Sequence, residues 1–329
     1  MSHYLTIPIN ENGVIFDAGM DSVIQTALAV DPFKFTDVYI YSHGWATDAA
    51  RALDDYNRFS VELARQILLV AQASPPVFKY GPGNSLGVGI HWPSQITENP
   101  NSPLNTAELL TFYTMEHRAD AVGRNAVYSM LRLILNERAT ASLPIRLFML
   151  GHSFGCKVLC AALQDLQVDI GNNTITLPAD TSFNVVLLEP ATDSDNLESG
   201  DIYGEISNIR GLRMLITKST LDRALTEWYV LAGRLANLFR TSRQALGAVG
   251  PTAKTEGAFG GAKAITVAPG FVAADMRGIS DRLIVADLTP IHQARAQQHL
   301  YSGGISGSHS DIFIDELYQM ISGFLFGIA

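Results

Sequence analysis

The sequence predicts an α/β protein: a mostly parallel central sheet with helices on both faces and an inserted cap segment. Three observations predict it. Short apolar runs at 37–41, 86–92, 145–150, 183–188, 212–216 and 283–286 alternate with longer stretches of helical spacing. No repeat, low-complexity tract or linker divides the 329 residues. Finally, Gly151-His152-Ser153-Phe154-Gly155, a G-x-S-x-G, joins the apolar run 145–150 to a helical stretch in which Cys156, Val158, Leu159, Ala162, Leu163 and Leu166 share one face.

Taken in order, residues 4–9 alternate and suit an edge strand, and 17–30 reads as helix. Strand 37–41 runs into Ser42-His43-Gly44-Trp45. The stretch 48–73 is helical, with Leu53, Tyr56, Phe59, Val61, Leu63, Ile67 and Leu68 among its apolar positions. Pro75, Pro76 and Pro82 make 74–84 a loop, and Pro93 stops strand 86–92. Polar, Pro- and Asn-rich 95–103 is a surface loop, followed by one or two helices over 106–136. Beyond the G-x-S-x-G helix come a polar turn at 171–173 and strands at 183–188 and 212–216. Residues 220–246 read as helix, with Trp228, Tyr229, Leu231, Leu235, Leu238 and Phe239 apolar. The stretch 247–270 is rich in Gly, Ala and Pro. A last strand at 283–286, a short helix at 290–300 and a closing helix at 311–326 complete the chain. One domain over 1–329 is expected, with 224–270 inserted as a cap or lid.

Bulk properties narrow the function classes. Hydrophobic residues make up 47% and charged residues 17%, which permits a large core and argues against disorder. A net charge of −9 and a pI near 5.3 argue against nucleic acid as a partner. The two cysteines, Cys156 and Cys160, lie one turn apart on a helix, a poor geometry for a disulfide, so both read as small buried residues. The N-terminal residues show no basic segment followed by an apolar run, and no apolar run reaches transmembrane length. The expectation is a cytoplasmic protein without an integral membrane segment. Signal-independent export and transient contact with a lipid surface stay open, and nothing in the sequence bears on oligomeric state.

The G-x-S-x-G context makes Ser153 a candidate nucleophile. A sharp strand-to-helix turn lifts such a hydroxyl above the sheet, and Gly151 and Gly155 leave room for the neighbouring strand and helix. A serine hydroxyl also needs a base, an acid to orient the base, and donors for the oxyanion. Three histidines follow Ser153: His292, His299 and His309. His309, in a Gly/Ser-rich loop before the closing helix, is the candidate base. Asp222, just beyond strand 212–216, is the candidate acid, with Asp193 beyond strand 183–188 as the alternative. Each also suits a helix cap or first turn. The amides of Phe154 and Trp45 are the candidate oxyanion donors, with His43 a structural residue beside Gly44. No H-E-x-x-H, phosphate loop or dinucleotide fingerprint appears, so neither metal nor cofactor is expected.

These residues resemble the α/β-hydrolase superfamily, serine esterases and lipases in particular. The resemblance is carried by YIYSHGW (39–45), VGIHWPS (88–94), LFMLGHSFG (147–155), VVLLEPATD (185–193), LITKSTLDRAL (215–225) and GSHSDIF (307–313), which span most of the chain. The HWPS and STLDRAL segments are most similar to bacterial α/β-hydrolases of unassigned substrate. The resemblance implies the α/β-hydrolase fold and a Ser153–Asp222–His309 triad acting on a small-molecule carboxylic ester or lipid. In this family the acid usually follows the seventh strand, and in a minority the sixth, which keeps Asp193 open. The same triad would serve an acyltransferase, thioesterase or amidase. A binding module without turnover on the same fold is the alternative from another class.

Overall fold

The computed structural model describes residues 3–14, 36–73, 85–94, 106–140, 144–236, 244–300 and 307–326. Among these residues the strands are β1 His3–Pro8, β2 Asp37–Ser42, β3 Ser85–His91, β4 Arg146–His152, β5 Ser182–Leu188, β6 Leu212–Lys218, β7 Lys263–Thr266 and β8 Leu283–Asp287. They form one sheet in the order β1-β3-β2-β4-β5-β6-β8-β7, parallel at every pairing. The helices are α1 Ala49–Ala73, α2 Thr106–Val122, α3 Tyr128–Thr140, α4 Phe154–Gly171, α5 Tyr229–Ala236, α6 Leu246–Val249, α7 Ala253–Ala258, α8 Thr289–Gln297 and α9 Asp315–Phe326. None of the described helices is long and apolar enough to cross a membrane.

Near-continuous apolar strands fit a sheet covered on both faces. Side chains of alternate residues enter opposite cores because strand periodicity is two. Val38, Ile40, Leu147, Met149, Val185 and Leu187 join Val122, Leu131, Val158 and Leu163 from α2, α3 and α4 in one core. Tyr39, Tyr41, Phe148, Leu150, Val186 and Leu188 join Tyr56, Phe59 and Leu63 of α1 and Leu317, Ile321 and Phe324 of α9 in the other. Each such side chain, fully buried, contributes about 1.5–3 kcal/mol of transfer free energy.

Several expectations shift at the edges of elements. Strand β4 runs on to His152, so the turn at Ser153 begins with no spacer. The helix expected over 220–246 is shorter and starts later. Asp222 Oδ1 accepts from the Leu225 amide at 3.0 Å, and a single π turn, Ala224–Trp228, then leads into α5. Ala245, at the far end of that stretch, instead forms a bridge with Asp193. The segment 224–270 also supplies β7, the edge strand of the sheet. The closing helix begins at Asp315 rather than 311, because Arg295 holds the Asp311 carboxylate through two bonds, one of 2.8 Å to Oδ1. The helix expected at 17–30 and the loops at 74–84 and 95–103 lie outside the described residues, as do Leu238 and Phe239.

One charged pair ties α4 to α2. Lys157 Nζ lies 3.2 Å from Glu116 Oε1, with both side chains only 6% exposed. Removing one member of such a pair strands the other charge in an apolar interior. Glu116→Ala should therefore cost about 3–5 kcal/mol, whereas the double replacement Glu116→Leu with Lys157→Met should recover most of it. Urea unfolding of the single and double variants checks this.

Candidate active site

In a parallel sheet every strand points the same way, so the loops after β2, β4, β5, β6 and β8 open at one edge. Ser153, Gly44, Trp45 and Asp222 lie on these loops. Ser153 follows β4 with φ 55° and ψ −123°, a conformation that costs a non-glycine residue free energy. Hydrogen bonds hold it in place. The Ser153 amide donates to the Leu188 carbonyl at 3.0 Å, and the Ser153 carbonyl accepts from Cys156 and Ala191 at 3.1 and 3.2 Å. A Cβ on Gly155 would collide with the Ser42 carbonyl, and one on Gly151 would sit 2.7 Å from the Cys156 amide nitrogen. The elbow therefore needs both glycines, because α4 passes so close to β2 and doubles back on β4.

The loop after β2 lies against the serine. A Cβ on Gly44 would be 2.7 Å from Ser153 Cβ. His43 fixes this loop. Its Nδ1 donates to the Gly44 carbonyl at 2.9 Å, and its Nε2 accepts from the Trp92 amide at 3.3 Å. The ring also stacks on Trp92 with centroids 5.4 Å apart and planes 5° apart. From the HWPS segment, Ser94 closes the clamp: its carbonyl accepts from Ala46 at 3.1 Å and its hydroxyl accepts from Thr47 at 3.0 Å. The Trp45 ring packs beside Phe154 and Phe112, at 6.5 and 5.9 Å between centroids.

His309 is brought to this edge by the loop leading into α9. Its Nδ1 lies 2.6 Å from Asp222 Oδ2, and Asp222 is fully buried. The loop is stitched to the Asp222 loop by a bridge between Asp222 and Gly307 and by the Ser308 amide, which donates to the Leu221 carbonyl at 3.3 Å. On its other side His152, next to Ser153, donates from Nε2 to the His309 carbonyl at 2.8 Å, with ring centroids 4.9 Å apart. Asp193 is placed elsewhere: its Oδ1 accepts from the Tyr229 hydroxyl at 2.8 Å. Of the other candidate bases, His292 is fully buried on Ser219 Oγ at 2.9 Å, and His299 lies just beyond α8 with φ 55°.

Glu189, unremarked in the sequence, is the surprise of the site. It directly follows β5 with φ 44°, is fully buried, and neither carboxyl oxygen has a hydrogen-bond partner. Its Oε1 lies 3.7 Å from His292 Nδ1. One of its oxygens and one ring nitrogen from each of His152 and His309 fall within 4.8 Å of one another. The fold thus assembles a His–Glu–His group that sequence spacing does not reveal. Asp222 and the His309 carbonyl already engage one nitrogen of each histidine. Burial pushes the Glu189 carboxyl well above the usual range, and the charges of Asp222 and Asp311 push the same way. The signal available in sequence was a charged residue closing the apolar run VVLL without a spacer.

Burial also disfavours the charged form of three buried histidines. It lowers His43 and His152 to about 3 and His292 to about 4. Both cysteines of α4 are buried thiols, Cys160 being pushed up to about 12 by burial.

A family model described as "Alpha/beta hydrolase of unknown function (DUF900)" matches residues 37–254. The chain belongs to that family. No curated protein and no solved structure matches this chain.

Two predictions follow from this geometry. Gly307 has φ +62°, and a Cβ there would lie 2.6 Å from the Leu221 carbonyl oxygen. Gly307→Ala should displace His309 at a stability cost of about 1–2 kcal/mol. The downfield proton resonance of a histidine Nδ1–H bonded to a carboxylate, present in the wild type, should then disappear. The second concerns acid stability. His43 titrates at about 3 when folded against an ordinary 6.5, so the unfolded chain binds more protons between those values. Its contribution is complete above 6.5 and declines as pH falls. Relative to wild type, His43→Gln should flatten the loss of stability from about pH 6 to about pH 4 by about 1.4 kcal/mol per pH unit. Urea unfolding at a series of pH values measures it.

Proposed function

We propose that this family member is a serine hydrolase acting on carboxylic esters with an apolar acyl group. The observation that carries the reading is the short Nδ1–Oδ2 contact of 2.6 Å between His309 and the buried Asp222, beside a serine in strained elbow geometry. That contact fixes the tautomer of His309, leaving Nε2 to accept a proton.

In this mechanism Ser153 Oγ attacks the ester carbonyl carbon and its proton passes to His309 Nε2. The carbonyl oxygen becomes an oxyanion held by the amides of Trp45 and Phe154, each donor stabilising the transition state by about 3 kcal/mol. Phe154 opens α4, whose N-terminal dipole favours the same charge. Asp222 accepts from His309 Nδ1 throughout and stabilises the imidazolium without taking its proton. Collapse breaks the ester C–O bond, and the leaving alcohol takes the proton from His309. Water then attacks the acyl-enzyme with His309 again as base, which releases the acid and restores Ser153.

The apolar acyl assignment rests on the aromatic group next to the serine. Phe112 packs on Phe154 and Tyr229 at 4.9 and 5.3 Å between centroids, and the Tyr113 hydroxyl donates to the Ala232 carbonyl of α5 at 3.0 Å. These contacts support a reading of the 224–236 stretch, part of the expected cap, as a wall that shields an acyl chain.

A fluorophosphonate probe tests the reading. Wild type should be labelled at Ser153. Ser153→Ala should abolish labelling, and His309→Ala should slow it by about a thousandfold or more, with both variants folded by circular dichroism. An unlabelled wild type, with and without detergent, would reject the hydrolase reading and favour a binding role for the fold.

A further inference from the structure

Glu189 has no task in the reaction above, yet its placement is costly. A fully buried carboxyl with two unpartnered oxygens and a positive φ is retained only where the surroundings over-determine it. Its strand, β5, neighbours β6, whose end delivers Asp222. Adjacent parallel strands therefore carry two carboxyls to one histidine: Asp222 at 2.6 Å from His309 Nδ1, and Glu189 within 4.8 Å of a His309 ring nitrogen.

We infer that Glu189 and Asp222 form an acid pair behind His309, sharing a single negative charge, with Glu189 a positioning residue that supplies the charge when Asp222 does not. This rests on the hydrolase reading of the site. Two carboxylates at the ends of adjacent strands, both close to one histidine in a dry interior, are costly to ionise together. Asp222 is the member already hydrogen-bonded to the imidazole and to the Leu225 amide, whereas Glu189 has no such donor and burial pushes its carboxyl up. Among the described residues no cation compensates a charged Glu189. His152 at the end of β4 and His292 on α8 are neutral, and the Cys156 thiol on α4 is buried and protonated. Asp311 is a like charge, engaged by Arg295. Removing Asp222 removes the nearest like charge and leaves His309 Nδ1–H without its acceptor. Glu189 then loses its proton to water more readily, and its carboxylate becomes the closest replacement for the imidazole.

The test compares fluorophosphonate labelling rates of wild type, Glu189→Gln, Asp222→Ala and the double variant from about pH 6 to about pH 9. Asp222→Ala should retain labelling above the Ser153→Ala background, with a rate that rises with pH as Glu189 ionises. Adding Glu189→Gln should lower that rate by about tenfold or more and flatten the pH dependence, a larger loss than Glu189→Gln causes in the presence of Asp222. Equal rates and profiles for Asp222→Ala and the double variant would overturn the pair. A readout independent of turnover comes from 15N-histidine NMR in a Ser153→Ala background. The His309 titration midpoint should lie higher in Asp222→Ala than in the double variant, and equal midpoints overturn the pair even where wild type proves unlabelled. If Asp222→Ala unfolds, the isosteric Asp222→Asn serves in the same comparison. An unlabelled wild type rejects the hydrolase reading, while the midpoints alone decide the pair.

Discussion

The close passage of α4 over the end of β2 constrains everything else at this edge of the sheet. Gly155 lies so near the Ser42 carbonyl that a single added carbon would collide with it. That approach forces the chain to reverse at Ser153 without a spacer, which gives the residue its positive φ. The strain is held by hydrogen bonds from β5 and by the residues that follow it, not by local preference. The same approach sets the Gly44 loop against the serine, so the proposed nucleophile and the proposed oxyanion donors share one origin.

Electrostatics at this edge depend on burial more than on pairing. Three histidines and a carboxyl lie in the interior with their charges suppressed, and each is kept uncharged mainly by loss of hydration. In such surroundings the Asp222–His309 contact acts at low dielectric, where a charge-assisted hydrogen bond orients a ring more firmly than it would in water. His152 shows how the machinery is braced. It stands next to Ser153 in sequence and bonds the backbone of His309, so the elbow and the His309 loop are referenced to one another.

The segment after Asp222 has a double character. Its first part begins on the Asp222 cap, continues through a π turn, and leans on the aromatic group of α2 through Tyr113 and Tyr229. Its last part is a strand of the sheet. A weakly periodic, Gly- and Ala-rich stretch does not disclose that division, because a four-residue edge strand with mostly exposed side chains carries little hydrophobic signal.

The sequence by itself determined the alternation of buried strands with helices, the elbow at 151–155, and a family membership legible in short motifs. These are local properties: apolar runs, glycines where backbones touch, and a serine between a strand and a helix. Asp222 and Asp193 looked alike in sequence because each follows a strand and suits a helix start. Only the fold separates them, since the Gly307 bridge carries His309 to one and Tyr229 occupies the other. Glu189, His152 and His309 meet although they are far apart in the chain, and no spacing rule anticipates such a meeting. Whether a carboxyl is charged, neutral or shared depends on its hydration and neighbours, and both are properties of the packed structure.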